Sequence, residues 1–186
     1  AALARTLFLV DDALVVFDMS ELSDAASASR LVGSPPGFVG HQQRGQLSEA
    51  MHRRPYRVLL FENVERAAPE IIGLLSQILA TGRITDNHGR RLDMRNAVII
   101  FTSNAGTDAI MSGAAKQVIG FAPPRPAALT EVDEGQFSEH VRAELGPEIC
   151  GAVDEIVVFR PLNDEAGRAV IRRALDESAA QLFERR

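Results

Sequence analysis

Four short runs of unbroken apolar residues punctuate the chain: Leu14–Phe17, Val58–Phe61, Ala97–Phe101 and Ile156–Phe159. A strand buried on one face alternates apolar and polar positions, whereas unbroken runs of this length suit a parallel sheet covered on both faces. Between the runs the pattern becomes helical. In PEIIGLLSQILATG, Ile71, Leu74, Leu75, Ile78 and Leu79 share one stripe, with Pro69 in the first turn and Gly82 just past the end. GQLSEAMHRRP (Gly45–Pro55) predicts a shorter helix that stops before Pro55. The segment Gly82–Asn96 sets the turn residues Asp86–Gly89 between short flanks and predicts a hairpin. FAPPRPAAL (Phe121–Leu129) carries three prolines and predicts an irregular loop. After Pro161 the chain predicts one amphipathic helix to its end. Strands alternating with helices, without internal repeats, predict an α/β fold with a mainly parallel sheet.

Composition narrows the classes. With 186 residues there is room for one domain and the start of another, and 46% hydrophobic content is enough for a packed core. A net charge of −5 argues against a nucleic-acid surface, which needs concentrated basic charge. Lys116 is the only lysine. Cys150 stands alone, so neither a disulfide framework nor a cysteine metal site is expected, and a buried thiol is. No apolar run approaches the ~20 residues that span a bilayer. The amino-terminal stretch, broken by Asp11 and Asp12, lacks a signal pattern. A cytoplasmic protein with no membrane or nucleic-acid partner is the expectation.

Ligands of parallel α/β sheets sit at the carboxyl ends of the strands. Three of the runs end in polar groups: Asp18–Glu21 (DMSE), Glu62–Glu65 (ENVE) and Thr102–Asn104 (TSN). One such tip is simply where a buried strand meets water; several at one edge suggest a site for a phosphate and its metal ion.

The stretches LVGSPPGFVGHQQRGQLSEAMHRRPYRVLLFENVERAAPE, LLSQILATGRITDNHGRRLDMRNAVIIFTSNAG and DEIVVFRPL resemble the Clp/ClpB class of AAA+ unfoldases and disaggregases, in their second ATPase module. The resemblance covers Asp18–Gly106 almost without gaps and resumes at Glu148–Leu162, with Met111–Leu145 loose. It implies an AAA+ parallel sheet flanked by helices over residues 1–162. Residues 163–186 are then the first helix of a carboxyl-terminal lid. It also implies hexameric homo-oligomers that use ATP and Mg²⁺ to pull unfolded or aggregated polypeptide through a central pore.

Residue by residue, Gly37, Phe38, Val39 and Gly40 are similar to the substrate-gripping pore loop, with Phe38 where the family usually has tyrosine. An aromatic ring on a glycine-flanked loop can grip varied side chains by apolar contact. A rigid Pro-Gly turn with an exposed phenylalanine is the plainer alternative. Glu62 and Asn63 fall on the Walker B pair, normally Asp then Glu, of which the first positions Mg²⁺ and the second polarises the attacking water. Glu62 keeps the charge and is the metal candidate. The Asn63 amide cannot take a proton from water. Asn104 matches the sensor position, where the family's asparagine meets the γ-phosphate or lytic water. The family's trans-acting arginine falls on Ala152. No G-x-x-x-x-G-K-[ST] occurs in the 186 residues, and AALARTLF resembles the end of the helix that follows that loop.

The histidines His41, His52, His88 and His140 lack metal-ligand spacing. Arg90, Arg91 and Arg95 suit either a pore lining or a solvated face, and Asp18 and Glu21 are assigned no chemistry. Two functions stand side by side. One is a module of an ATP-dependent unfoldase or disaggregase with a degenerate Walker B. The other is a non-hydrolysing AAA+ scaffold or regulatory module.

Overall fold

Three of the four apolar runs pair as a parallel sheet. The computed structural model describes residues 2–37, 44–105, 141–143, 145–159 and 164–184. In it β1 (Leu14–Asp18), β2 (Val58–Glu62) and β5 (Val98–Phe101) lie in the order β1-β2-β5. Asp18 stands opposite Glu62, and Phe61 opposite Phe101. A short antiparallel pair, β3 (Arg83–Thr85) and β4 (Arg91–Asp93), forms the expected hairpin. The chain divides into two compact units, Ala1–Asp154 and Glu155–Arg186. No described helix is long and apolar enough to cross a membrane.

Both faces of β2 are used, which is why its sequence does not alternate. Leu59 and Phe61 enter the main core, with Leu31, Leu47, Ile71 and Leu75. Val58 faces the other way, into a small cluster with Ala4 and Ala13. The main core is closed by α2 (Ala28–Val32), α3 (Gln46–Arg53) and α4 (Pro69–Thr81), and the smaller one by α1 (Ala2–Phe8). In α4, Ile71, Leu75 and Ile78 are buried, Pro69 opens the helix, and Gly82 ends it in the left-handed region at φ 65°. Helix α5 (Pro147–Cys150) packs on α4 and buries Ile149.

Phe61 is fully buried, and its ring lies 5.1 Å from that of Phe17 and 5.5 Å from that of Phe101. One ring from each strand thus forms a row across the sheet, just beneath its carboxyl edge. Aromatic pairs at such spacing add to the stabilisation that burial alone gives.

The hairpin turn is built on Asp86, whose side chain is fully buried. Its Oδ1 accepts from the backbone N–H groups of His88 (2.9 Å) and Arg90 (2.8 Å), and its Oδ2 from Arg90 Nε at 3.0 Å. Burial pushes the carboxyl up, but the Arg90 backbone and guanidinium and the His88 N–H outweigh it and hold Asp86 below its ordinary value. Ile84, Leu92 and Met94 drop from the hairpin into the main core.

The fourth apolar run is not a strand. Ile156–Phe159, in the second unit, pairs with no described strand, and Phe159 is 88% exposed. Apolar continuity measures the tendency to be buried, but a strand also needs an edge to hydrogen-bond, and none of the described edges takes this run. The second unit otherwise holds α6 (Asp164–Glu184), with Val170, Ile171 and Leu175 exposed. The proline-rich segment Phe121–Leu129 lies outside the described residues. Cys150 is half-buried rather than buried. Its Sγ lies 3.8 Å from the Val141 carbonyl, and desolvation raises the thiol pKa.

Two outcomes follow from this packing. Phe61→Ala should lower unfolding stability by about 3–5 kcal/mol in denaturant titrations, since it empties the centre of the core. Asp86→Asn should cost roughly 2 kcal/mol at neutral pH, because two backbone donors and a guanidinium lose a charged acceptor. A carboxyl held low when folded stabilises above its unfolded pKa, and that stabilisation is lost as pH falls through the folded value. The gap between wild type and Asp86→Asn should therefore close on acidification.

Candidate functional site

Parallel strands in one register bring their carboxyl ends to the same edge, and that edge gathers the polar tips. Asp18 ends β1, Glu62 ends β2 beside it, and Thr102 follows β5. Beyond β2 the chain turns sharply. Asn63 adopts the left-handed conformation (φ 56°, ψ 49°), a region asparagine tolerates better than most residues. Its N–H donates to Thr102 Oγ1 at 3.4 Å, and the next N–H, of Val64, donates to the Thr102 carbonyl at 3.0 Å.

This backbone places the Asn63 side chain between its neighbours. Its Nδ2 donates to Asp18 Oδ1 at 3.2 Å, while its Oδ1 accepts from Asn104 Nδ2 at 3.3 Å. Asp18 also accepts from the Ser20 N–H at 2.9 Å. Ser20, through backbone and hydroxyl, and then Asn63 hold the Asp18 carboxyl below its ordinary value, and Arg66 adds a favourable charge. Glu62 is half-buried, and its carboxylate makes no ion pair or hydrogen bond with a described residue. It is thus the uncommitted acid at this edge.

Glu62, Asn63 and Asn104, singled out in the sequence, therefore stand together at one end of the sheet. Asp18, a strand tip to which the sequence assigns no chemistry, is the hydrogen-bond partner of Asn63. Glu65 accepts from the Asn104 N–H at 3.4 Å through Oε1, and its Oε2 is buried without a partner. Glu65 and Glu148 line a cavity of about 390 Å³ floored by Val64, Ile72 and Leu145. Nothing in the local sequence marks that contact, because it depends on α5 packing against α4.

The loop residues Phe38, Val39 and Gly40 lie outside the described residues. Gly37 is exposed, at φ 91°. The neck of that loop is defined. Asn87, in the hairpin turn, donates its side-chain amide to the Gly33 carbonyl and its N–H to the Val32 carbonyl. On the returning side, a Cβ on Gly45 would run into the Leu31 carbonyl and the Gly33 nitrogen, so only glycine fits. In the hairpin, Arg90 is paired with Asp86 and Arg95 with Asp93, while Arg91 is exposed. Ala152 is half-buried in the turn after α5. Among the described residues no group of three or more His, Cys, Asp or Glu could hold a metal ion. A nucleotide-bound Mg²⁺ keeps most of its water and takes one or two carboxylates, a role that Glu62 fits.

Comparison with known proteins adds the family. A model of the AAA domain (Cdc48 subfamily) matches residues 1–156. The chain is 41% identical to the chaperone protein ClpB of Meiothermus ruber over 99% of its own length and 20% of the relative's. It is 39% identical to chaperone protein ClpB 1 of Parasynechococcus marenigrum, over all of its length and 20% of that protein. It is 37% identical to the ATP-binding subunit ClpC of an ATP-dependent Clp protease of Staphylococcus saprophyticus, over 98% of its length and 22% of that protein. The chain spans about a fifth of the length of these curated relatives.

The backbone at Asn63 can be tested without any ligand. Asn63→Gly and Asn63→Ala both delete the amide contacts, but only alanine is strained in the left-handed region. Alanine should be less stable than glycine by about 1 kcal/mol in chemical denaturation. Equal stability would contradict the left-handed geometry.

Proposed function

Since this chain belongs to the AAA domain family, as a Clp/ClpB-type AAA+ module, we propose that it is part of a protein-remodelling ring whose strand-tip site meets a nucleotide but does not split it at a family-like rate. The observation that carries this reading is the Asn63 side chain, held between Asp18 and Asn104 by its own amide. A residue that polarises attacking water must offer a basic atom. Here the nitrogen end is a donor committed to Asp18, and the oxygen end is a neutral carbonyl already accepting from Asn104.

In this reading Glu62 would help hold the Mg²⁺ of a bound ATP, and Asn104 would face its terminal phosphate. Mg-ATP, if bound there, would supply a phosphoanhydride as the bond to be hydrolysed. The degenerate Walker B is joined by a second departure, Ala152 at the position of the trans-acting arginine. Loss of such an arginine is worth about 10³–10⁵ in rate in nucleotide hydrolases. Gly37, Phe38, Val39 and Gly40 form the loop that grips unfolded or aggregated polypeptide in a hexameric ring. The cytoplasmic location expected above belongs to the same reading.

The state of Asn63 also favours a second reading, a non-hydrolysing AAA+ scaffold or regulatory module that assembles while partner modules turn over ATP. The two part at Phe38. For the gripping module, crosslinking of an unfolded model polypeptide to the chain should fall several-fold on Phe38→Ala. For the scaffold it should not change. Both predict negligible phosphate release from ATP by the purified chain. Brisk release that disappears in Glu62→Ala would overturn both.

A further inference from the structure

Hydrogen-bond polarity ties the strand-tip residues into a sequence that distances alone do not reveal. An ionised carboxylate only accepts. Asp18 Oδ1 receives the Ser20 N–H at 2.9 Å and therefore demands a donor from Asn63 as well, which it meets as Nδ2 at 3.2 Å. With its nitrogen turned to β1, Asn63 must present its oxygen toward the β5 side. There Asn104 answers with its own nitrogen, at 3.3 Å. One acceptor at the end of β1 thus dictates the facing of two amides in series. The backbone limits the alternatives, since the left-handed turn and the bond to Thr102 Oγ1 keep Asn63 in place.

We propose that Asp18 is a positioning residue of this site: its carboxylate orients the Asn63 amide and, through it, the Asn104 amide. The inference rests on the proposed function only for what Asn104 faces when a nucleotide is present; the relay itself needs none. Without Asp18 as a fixed acceptor, the Asn63 amide is free to reverse, which would present nitrogen to nitrogen at Asn104 and break the second bond. The charged groups around Asp18 are Glu62 across the register on β2, and Arg66 and Glu65 on the turn that follows. Glu21 lies on the turn after β1, with its carboxylate 3.5 Å from Arg30. Of these, Arg66 favours a negative Asp18.

The test follows the side-chain NH₂ resonances of Asn63 and Asn104 in the ¹⁵N-labelled full chain, with Asn87 as a reference amide bonded elsewhere. Asp18→Asn and Asp18→Ala should both shift the two site amides at neutral pH while Asn87 stays still, and Asp18→Glu, which keeps an anionic acceptor, should hold both nearer their wild-type positions. Movement of Asn63 without Asn104 in these variants, or no movement of either, would overturn the relay. Should one of the variants fail to fold, the other decides, because each removes the fixed acceptor in a different way. Addition of ATP with Mg²⁺ tests the nucleotide reading separately. If Asn104 then stays unperturbed, that reading fails and the relay stands.

Discussion

Everything at the functional edge depends on the position of β2 between two parallel partners. A parallel strand cannot be shifted by one residue without exchanging its two faces, and both faces of β2 are occupied, by the main core on one side and the α1 cluster on the other. The row of Phe17, Phe61 and Phe101 fixes the same register from within. Because the three strands run in one direction, the residue after each ring emerges at one edge: Asp18, Glu62 and Thr102. Packing beneath the edge and chemistry at the edge are therefore set by a single alignment.

What that edge offers is a line of donors and acceptors in place of a free base. A carboxylate at the end of β1, an amide after β2 and an amide after β5 satisfy one another, leaving the Glu62 carboxylate uncommitted. Such an arrangement suits holding a charged, hydrated ligand more than pulling a proton from water. It stands on an AAA scaffold, in which Ala152 lies in the turn after α5.

Much of this fold is legible in the sequence. Pro69 and Gly82 bracket α4 because one suits a helix start and the other a left-handed end, and both signals are local. The strand tips could be read because parallel order follows from unbroken apolar runs. Two things were not legible. Ile156–Phe159 has the composition of a strand, yet pairing is a property of neighbours, and residue type does not report it. Asp18 reads as an ordinary cap for the turn at Met19–Glu21, which it also is. Its contact with Asn63 joins residues 45 positions apart and exists only once the strands are aligned.

The neck at Gly33 and Gly45 has a consequence of another kind. The chain leaves α2 and re-enters α3 through backbone in direct contact, with Asn87 holding one side. When the two ends of a connection already touch, its length hardly changes the entropy of closing it, and the flanking helices need not move to accommodate a different one. Sequence between those glycines can therefore be exchanged or lengthened while the scaffold on either side of it stays unchanged.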